Sequence, residues 1–163
     1  MIRPASASDA PTLVTLSAQT GFFKPHEIDT LEAVLADYFH STRDDYGHRC
    51  IVWADHDTII GYLYYAPEEM TDRTWYVWWM AVATSRQGQG IGRQLLQFAE
   101  HDIHTMGGRL VVIETSDTAQ YEPTRRFYLR CGYAATAHIP DFYADGDGMV
   151  IFTKRLEVVS KHR

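Results

Sequence analysis

The stretch Val82-Ala83-Thr84-Ser85-Arg86-Gln87-Gly88-Gln89-Gly90-Ile91-Gly92-Arg93-Gln94-Leu95-Leu96 constrains the fold of this chain more than any other. Three alternating glycines stand between a β-rich run, Thr74 to Val82, and an amphipathic segment bearing Ile91, Leu95, Leu96, Phe98, Ala99 and Ile103. The apolar period changes from that of a strand to that of a helix across them, so a sheet must hand the chain to a helix through a turn poor in Cβ atoms. Such a turn lets several backbone N–H groups point at one anion, and the helix N-terminus adds its dipole and free donors. Phosphate is the natural guest. Between Thr84 and Ala99 the only charges are Arg86 and Arg93, whereas the whole chain sets 15 basic against 21 acidic residues for a net −6. That local asymmetry favours a polyphosphate ligand over a plain turn.

Other glycine loops fit less well. A nucleoside-triphosphate loop needs GxxxxGK[ST], and this segment has no lysine. A dinucleotide fold needs GxGxxG, whereas Gly88, Gly90 and Gly92 are spaced GxGxG. Glu114 stands about where that fold keeps its ribose acid, but the fingerprint should open the fold, and about half of this chain precedes it. A turn that merely caps a helix needs neither three glycines nor two arginines.

With 163 residues, no internal repeat and no linker, the chain reads as a single domain over residues 1–156, followed by a tail at 157–163. Hydrophobic residues at 45 % and charged residues at 22 % exclude a disordered or fibrous chain. No apolar run approaches the ~20 residues of a membrane span, and the N-terminus lacks the apolar core of a signal peptide, so a cytoplasmic location without membrane attachment is expected. The net negative charge argues against nucleic acid as a partner. Cys50 and Cys131 read as reduced, small core residues.

Helices are expected from Ser8 or Asp9 to Gly21, from Pro25 to His40, from Ile91 to the Gly107-Gly108 stop, and from Glu122 to Gly132. Strands are expected at Met1 to Arg3, Cys50 to Trp53, Ile59 to Tyr65, Thr74 to Val82, Leu110 to Glu114, Tyr133 to Ile139 and Met149 to Thr153. The third long strand, rich in Trp75, Trp78 and Trp79, reads as central and buried on both faces, its tryptophans serving the core and inter-subunit packing. The order implies an α/β fold with a mixed sheet. His101 and His104 share a helix face at i and i+3, but no third ligand has matching spacing, so they read as an exposed pair and no metal is expected.

Gln87-Gly88-Gln89-Gly90-Ile91-Gly92 matches Q-x-x-G-x-G, and Thr124 to Tyr133 matches A-x-x-F/L-Y-x-x-x-G-F/Y in its Phe127, Tyr128, Gly132 and Tyr133. In these motifs the chain resembles the GCN5-related N-acetyltransferase (GNAT) superfamily, over residues 1 to about 155. The resemblance implies a mostly antiparallel central sheet of about seven strands flanked by four helices, with two strands splayed at the coenzyme site. It implies acetyl-CoA as acetyl donor, direct attack by a primary amine of a small molecule or peptide, and a fold that often forms homodimers.

Residue by residue, the resemblance assigns the pantetheine arm to Met80, Ala81 and Val82, one of whose N–H groups would face the acetyl carbonyl. It gives the pyrophosphate to Arg86, Gln87, Gly88, Gln89, Gly90, Ile91, Gly92 and Arg93. Glu114 matches the position from which several members draw a general base, needed because an alkylammonium has no lone pair at neutral pH. Tyr128 matches the tyrosine that protonates the departing thiolate, with Thr124 and Phe127 beside the coenzyme on the same helix. The asparagine that many members place before this helix is missing from Ser116 to Pro123, leaving Thr124 or Ser116 as substitutes. Acceptor selectivity falls to Phe22 to Tyr46 and Pro140 to Gly148, whose Glu27, Asp29, Asp44, Asp45, Asp141, Asp145 and Asp147 either suit a cationic amine or form a plain solvated surface. A non-catalytic acyl-CoA sensor is the alternative.

Overall fold

The computed structural model describes residues 1–40 and 46–157. Its strands are β1 (Ile2–Pro4), β2 (Arg49–Asp55), β3 (Thr58–Pro67), β4 (Thr74–Val82), β5 (Leu110–Ser116), β6 (Ala134–Ala144) and β7 (Asp147–Arg155). The helices are α1 (Ala10–Gln19), α2 (Pro25–His40), α3 (Ile91–Thr105) and α4 (Glu122–Arg130). The seven strands form one sheet in the order β1-β2-β3-β4-β5-β7-β6, in which the pairs β1/β2, β2/β3, β5/β7 and β6/β7 are antiparallel. This is the mixed, mostly antiparallel α/β architecture that the element order implies.

The chain divides into two compact units: Met1–Pro67 with Val77–His101, and Glu68–Tyr76 with the chain from Asp102 onward. In the first, α1 and α2 bury Leu13, Leu16, Leu31, Leu35 and Tyr38 against Cys50, Val52, Tyr62 and Tyr64, alternate residues of β2 and β3 that share one sheet face. Each fully buried leucine contributes about 1.5–3 kcal/mol relative to exposure. A polar pair interrupts this core: the Ser17 and Tyr62 hydroxyls meet at 2.7 Å, and Ser17 also donates to the Leu13 carbonyl. The entry to α1 is pinned by Asp9, which accepts from Arg3 at 2.8 Å and from the Ser6 backbone N–H at 2.7 Å. Burial also pushes the Cys50 thiol up, keeping it protonated.

In the second unit, β7 runs between β5 and β6, and Phe152 is its fully buried anchor. Gly108 lacks a side chain for a packing reason: a Cβ there would stand 2.3 Å from Ile103 Cγ2 and 2.8 Å from the Trp75 ring.

Several sequence-based expectations need correction. β4 is not buried on both faces, since Trp78 is 47 % exposed and Tyr76, Trp79 and Met80 are half-buried. Its tryptophans therefore differ in role: Trp75 is core, Trp79 packs beside Phe23 at 5.8 Å between ring centres, and Trp78 faces outward. Cys131 is half-exposed rather than core. His104 is half-buried and donates from Nε2 to the Glu157 carbonyl, so His101 and His104 are not an equivalent exposed pair. β6 runs past the expected strand end at Ile139 to Ala144. Asp141 accepts the Gly146 N–H within the β6–β7 hairpin and Asp147 accepts the Ser116 hydroxyl from β5, so both carboxylates have structural partners. Asp44 and Asp45, and the tail beyond Glu157, lie outside the described residues.

Candidate active site

The expected site residues fall into two groups, one in each unit. The first begins where β4 ends. Ala83 N–H donates to the Ile60 carbonyl at 2.8 Å, after which Thr84–Arg86 makes a single 3-10 turn and Gln87 is extended. Gln87 Nε2 donates back to the Val82 carbonyl at 3.1 Å, so the first motif residue braces the exit of the strand.

Gly88 and Gly90 have φ of 76° and 83°, a region that residues with a Cβ enter only at a cost of about 1–2 kcal/mol. A Cβ at Gly88 would meet nothing within 4 Å, and one at Gly90 only Gln94 Nε2 at 3.9 Å. These glycines are thus required by backbone conformation, and they leave an open face in front of α3. The helix ladder starts with Gln94 N–H on the Gly90 carbonyl at 3.0 Å, so the N–H groups of Ile91 and Gly92 have no intrahelical acceptor. The first turn of α3 contains no acidic residue. An open glycine face, outward donors and a positive helix end fit a pyrophosphate.

Packing holds the helix in place. Ile91 and Leu95 are buried, and Leu95 Cδ1 and Ile91 Cγ2 come within 3.1 and 3.3 Å of where a Gly61 Cβ would stand. The missing side chain at Gly61 lets α3 approach β3 closely. Ala81 joins the core of the first unit, while Met80 and Val82 on either side remain half-buried. Of the two expected cations, Arg93 is exposed, whereas Arg86 donates from Nη1 to Asp55 Oδ2 at 3.2 Å and from Nε to Gln89 Oε1 at 3.1 Å.

In the second group, Glu114 lies on β5 opposite Ile151 of β7, half-buried, and burial raises its carboxyl above the ordinary value of 4.5. The Tyr76 phenol is raised by burial first and then by the charges of Glu114 and Glu68. Tyr128 is buried on α4 with Phe127, Tyr133 and Phe152 at 5.5, 6.1 and 5.4 Å between ring centres, and burial pushes its hydroxyl well up. It therefore keeps its proton at neutral pH. Thr124 stands one turn earlier on the same stripe of α4, half-buried, as is Phe127. Ser116 is committed elsewhere: it donates to Asp147 Oδ1 at 2.6 Å and accepts the Thr118 N–H at 3.1 Å. Of the two substitutes for the missing asparagine, Thr124 is the one whose hydroxyl is not engaged in this way.

Sequence reading did not find Asp55, Trp53 or Tyr76, nor the pairing of His138 Nε2 with Asp117 Oδ2 at 2.7 Å. Among the described residues no group of three or more His, Cys, Asp or Glu stands together to hold a metal ion, and no helix is long and apolar enough to cross a membrane.

Residues 14–133 match the model of the acetyltransferase (GNAT) family, and the chain belongs to that family. A crystal structure from Desulfovibrio desulfuricans, assigned to the GNAT acetyltransferases, is 35 % identical over 95 % of this chain and 98 % of its own, with a TM-score of 0.88. A Salmonella typhimurium protein assigned as an acetyltransferase and solved with its cofactor acetyl-CoA is 18 % identical over 98 % of this chain and 95 % of its own, with a TM-score of 0.78. The ribosomal-protein-S18-alanine N-acetyltransferase from Escherichia coli is 13 % identical over 100 % of this chain and 97 % of its own, also with a TM-score of 0.78. The last two establish likeness of fold alone. No curated protein matches the chain.

Proposed function

We propose that this protein is an acetyl-CoA-dependent N-acetyltransferase that serves a primary amine, on a small molecule or a peptide terminus, by direct attack in a ternary complex. The observation that carries the reading is the loop before α3. In a chain of the GNAT family, Gly88 and Gly90 hold left-handed conformations over open space ahead of a helix end free of acids.

When bound, the coenzyme supplies an acetyl group already activated as a thioester. The loop from Gln87 to Arg93 holds its pyrophosphate, and backbone groups of Met80, Ala81 and Val82 align the arm. Glu114 accepts a proton from the incoming ammonium, directly or through water; its raised value improves the match to an amine that must be deprotonated near neutral pH. Tyr128, kept neutral by burial, gives its proton to the departing thiolate. Thr124 and Phe127 contact the arm from α4. The two free cysteines suit a reducing, cytoplasmic compartment.

The test is the initial rate of thiol release from acetyl-CoA with polyamines, free amino acids, aminoglycosides and short peptides with free N-termini. One clear acceptor whose turnover collapses in Tyr128→Phe supports the transferase. Acetyl-CoA binding with a flat panel points to an acyl-CoA sensor, and no binding at all overturns the assignment of Gln87 to Arg93.

A further inference from the structure

The glycine motif is braced from outside by one strand. Asp55, the last residue of β2, takes Arg86 Nη1 on Oδ2 at 3.2 Å, and Arg86 Nε reaches on to Gln89 Oε1 at 3.1 Å. Gln89 sits between the two left-handed glycines, so this chain of contacts ends at the centre of the glycine loop. Two residues earlier on β2, Trp53 Nε1 donates to Gln94 Oε1 at 3.0 Å. Gln94 is the residue whose backbone N–H closes on the Gly90 carbonyl and whose side chain lies nearest to Gly90.

Trp53 and Asp55 thus grip the loop at both ends, 41 and 31 residues away in the chain. The strand is shaped for this. The β2/β3 register shifts between Trp53 and Ala54, and such irregularities re-aim side chains near a strand end. The other carboxylate oxygen, Oδ1, accepts from the exposed His56 ring at 3.1 Å, which leaves Oδ2 to Arg86.

We propose that Trp53 and Asp55 are positioning residues for coenzyme binding, acting through Gln94 and through Arg86 with Gln89 to hold the loop before α3 in its binding shape. The proposal rests on the acetyl-CoA reading above. Its logic opposes simple electrostatics, because a carboxylate beside a polyanion site should weaken binding, and removing it should then tighten binding.

The experiment is calorimetric titration of coenzyme A into the wild type, Asp55→Ala, Asp55→Asn, Trp53→Phe, Arg86→Ala and the Asp55→Ala/Arg86→Ala double variant, with thermal melts confirming that each is folded. Asp55→Ala should bind about threefold to fivefold more weakly, the scale of a partly exposed ion pair. Asp55→Asn keeps an acceptor for Arg86 and should bind at least as well as the wild type. Trp53→Phe keeps an aromatic side chain, loses the N–H donor and should bind about twofold to threefold more weakly. The double variant should be no weaker than Arg86→Ala, and with an acceptor present the loss should fall on KM for acetyl-CoA rather than on kcat. Unchanged or tighter binding by Asp55→Ala, an Asn variant as weak as the Ala variant, or a Trp53→Phe variant equal to wild type would overturn the proposal. A wild type that does not bind would instead overturn the acetyl-CoA reading.

Discussion

Burial pushes both Glu114 and Tyr128 upward, so each holds its proton more tightly. In the proposed mechanism this makes the Glu114 carboxylate a stronger acceptor and keeps the Tyr128 hydroxyl protonated until the thiolate departs. Tyr128→Phe preserves the aromatic packing with Phe127, Tyr133 and Phe152, so it should lower kcat by about 10- to 100-fold and change coenzyme affinity by less than about twofold. Glu114→Gln should lower kcat/KM by about a hundredfold at neutral pH and remove the acidic limb of the pH profile, which in the wild type should lie above the ordinary carboxylate range. The same variant has a stability signature. Because the folded carboxyl holds its proton more tightly than the unfolded one, its favourable contribution is complete below the unfolded value of 4.5 and is lost as pH rises through the folded value. Melting temperatures should therefore show Glu114→Gln gaining on wild type at pH 7 relative to pH 4; equal differences at both would mean that burial is not what shifts the group. In the sequence Tyr128 is singled out by its place in the A-x-x-F/L-Y-x-x-x-G-F/Y match, and Glu114 by its place at the end of the strand that follows the motif helix. Trp53 and Asp55 are not, because their partners lie 41 and 31 residues downstream and no local pattern announces such a pairing.

At the scale of elements, legibility followed the same division. The apolar stripes of α2 and α3 and the β-rich run of β4 carry their periods within themselves, and the expected and observed bounds agree closely. The strand expected to end at Ile139 runs further as β6. It continues to Ala144 because it is the edge strand, where a proline sacrifices no ladder bond and a bulge absorbs Asp141 at φ 55°. The hairpin it forms depends on Gly148, over which Asp117 lies: a Cβ there would stand 2.3 Å from Asp117 Oδ2 and 2.9 Å from the Ile139 carbonyl. Gly148→Ala should cost about 1–3 kcal/mol, seen as a lower urea midpoint, and an unchanged midpoint would mean that Asp117 swings away freely. At the other end of the chain, Asp9 joins β1 to α1. Its carboxyl is lowered to about 2, chiefly by the Arg3 hydrogen bond, with the Ser6 donors adding to it against the opposing effect of burial. A depressed group stabilises fully above its unfolded value of 3.8 and loses that contribution as pH falls toward 2. Asp9→Asn should accordingly cost about 1 kcal/mol at pH 7 and little at pH 2, measured by denaturant unfolding at both.

Across the whole molecule, the net charge of −6 acts on the two expected substrates with opposite sign. Acetyl-CoA is a polyanion, so under the proposed function its capture is local, at the backbone donors that open α3. A cationic amine is drawn by the field of the whole surface, which salt screens over about 10 Å at 0.1 M. Raising ionic strength from about 20 to about 200 mM should therefore lower kcat/KM for a polyamine or a basic peptide by about twofold to fivefold, with kcat nearly constant. The same change should leave KM for acetyl-CoA level or reduced, because screening also relieves repulsion between two anions. A neutral acceptor of similar size, such as an amine balanced by its own carboxylate, should show almost no salt dependence, which separates steering from a general effect of salt on the enzyme. If the neutral acceptor is favoured and the cationic ones are insensitive to salt, the acidic surface has no part in selecting the amine, and the specificity must reside in groups that contact it directly.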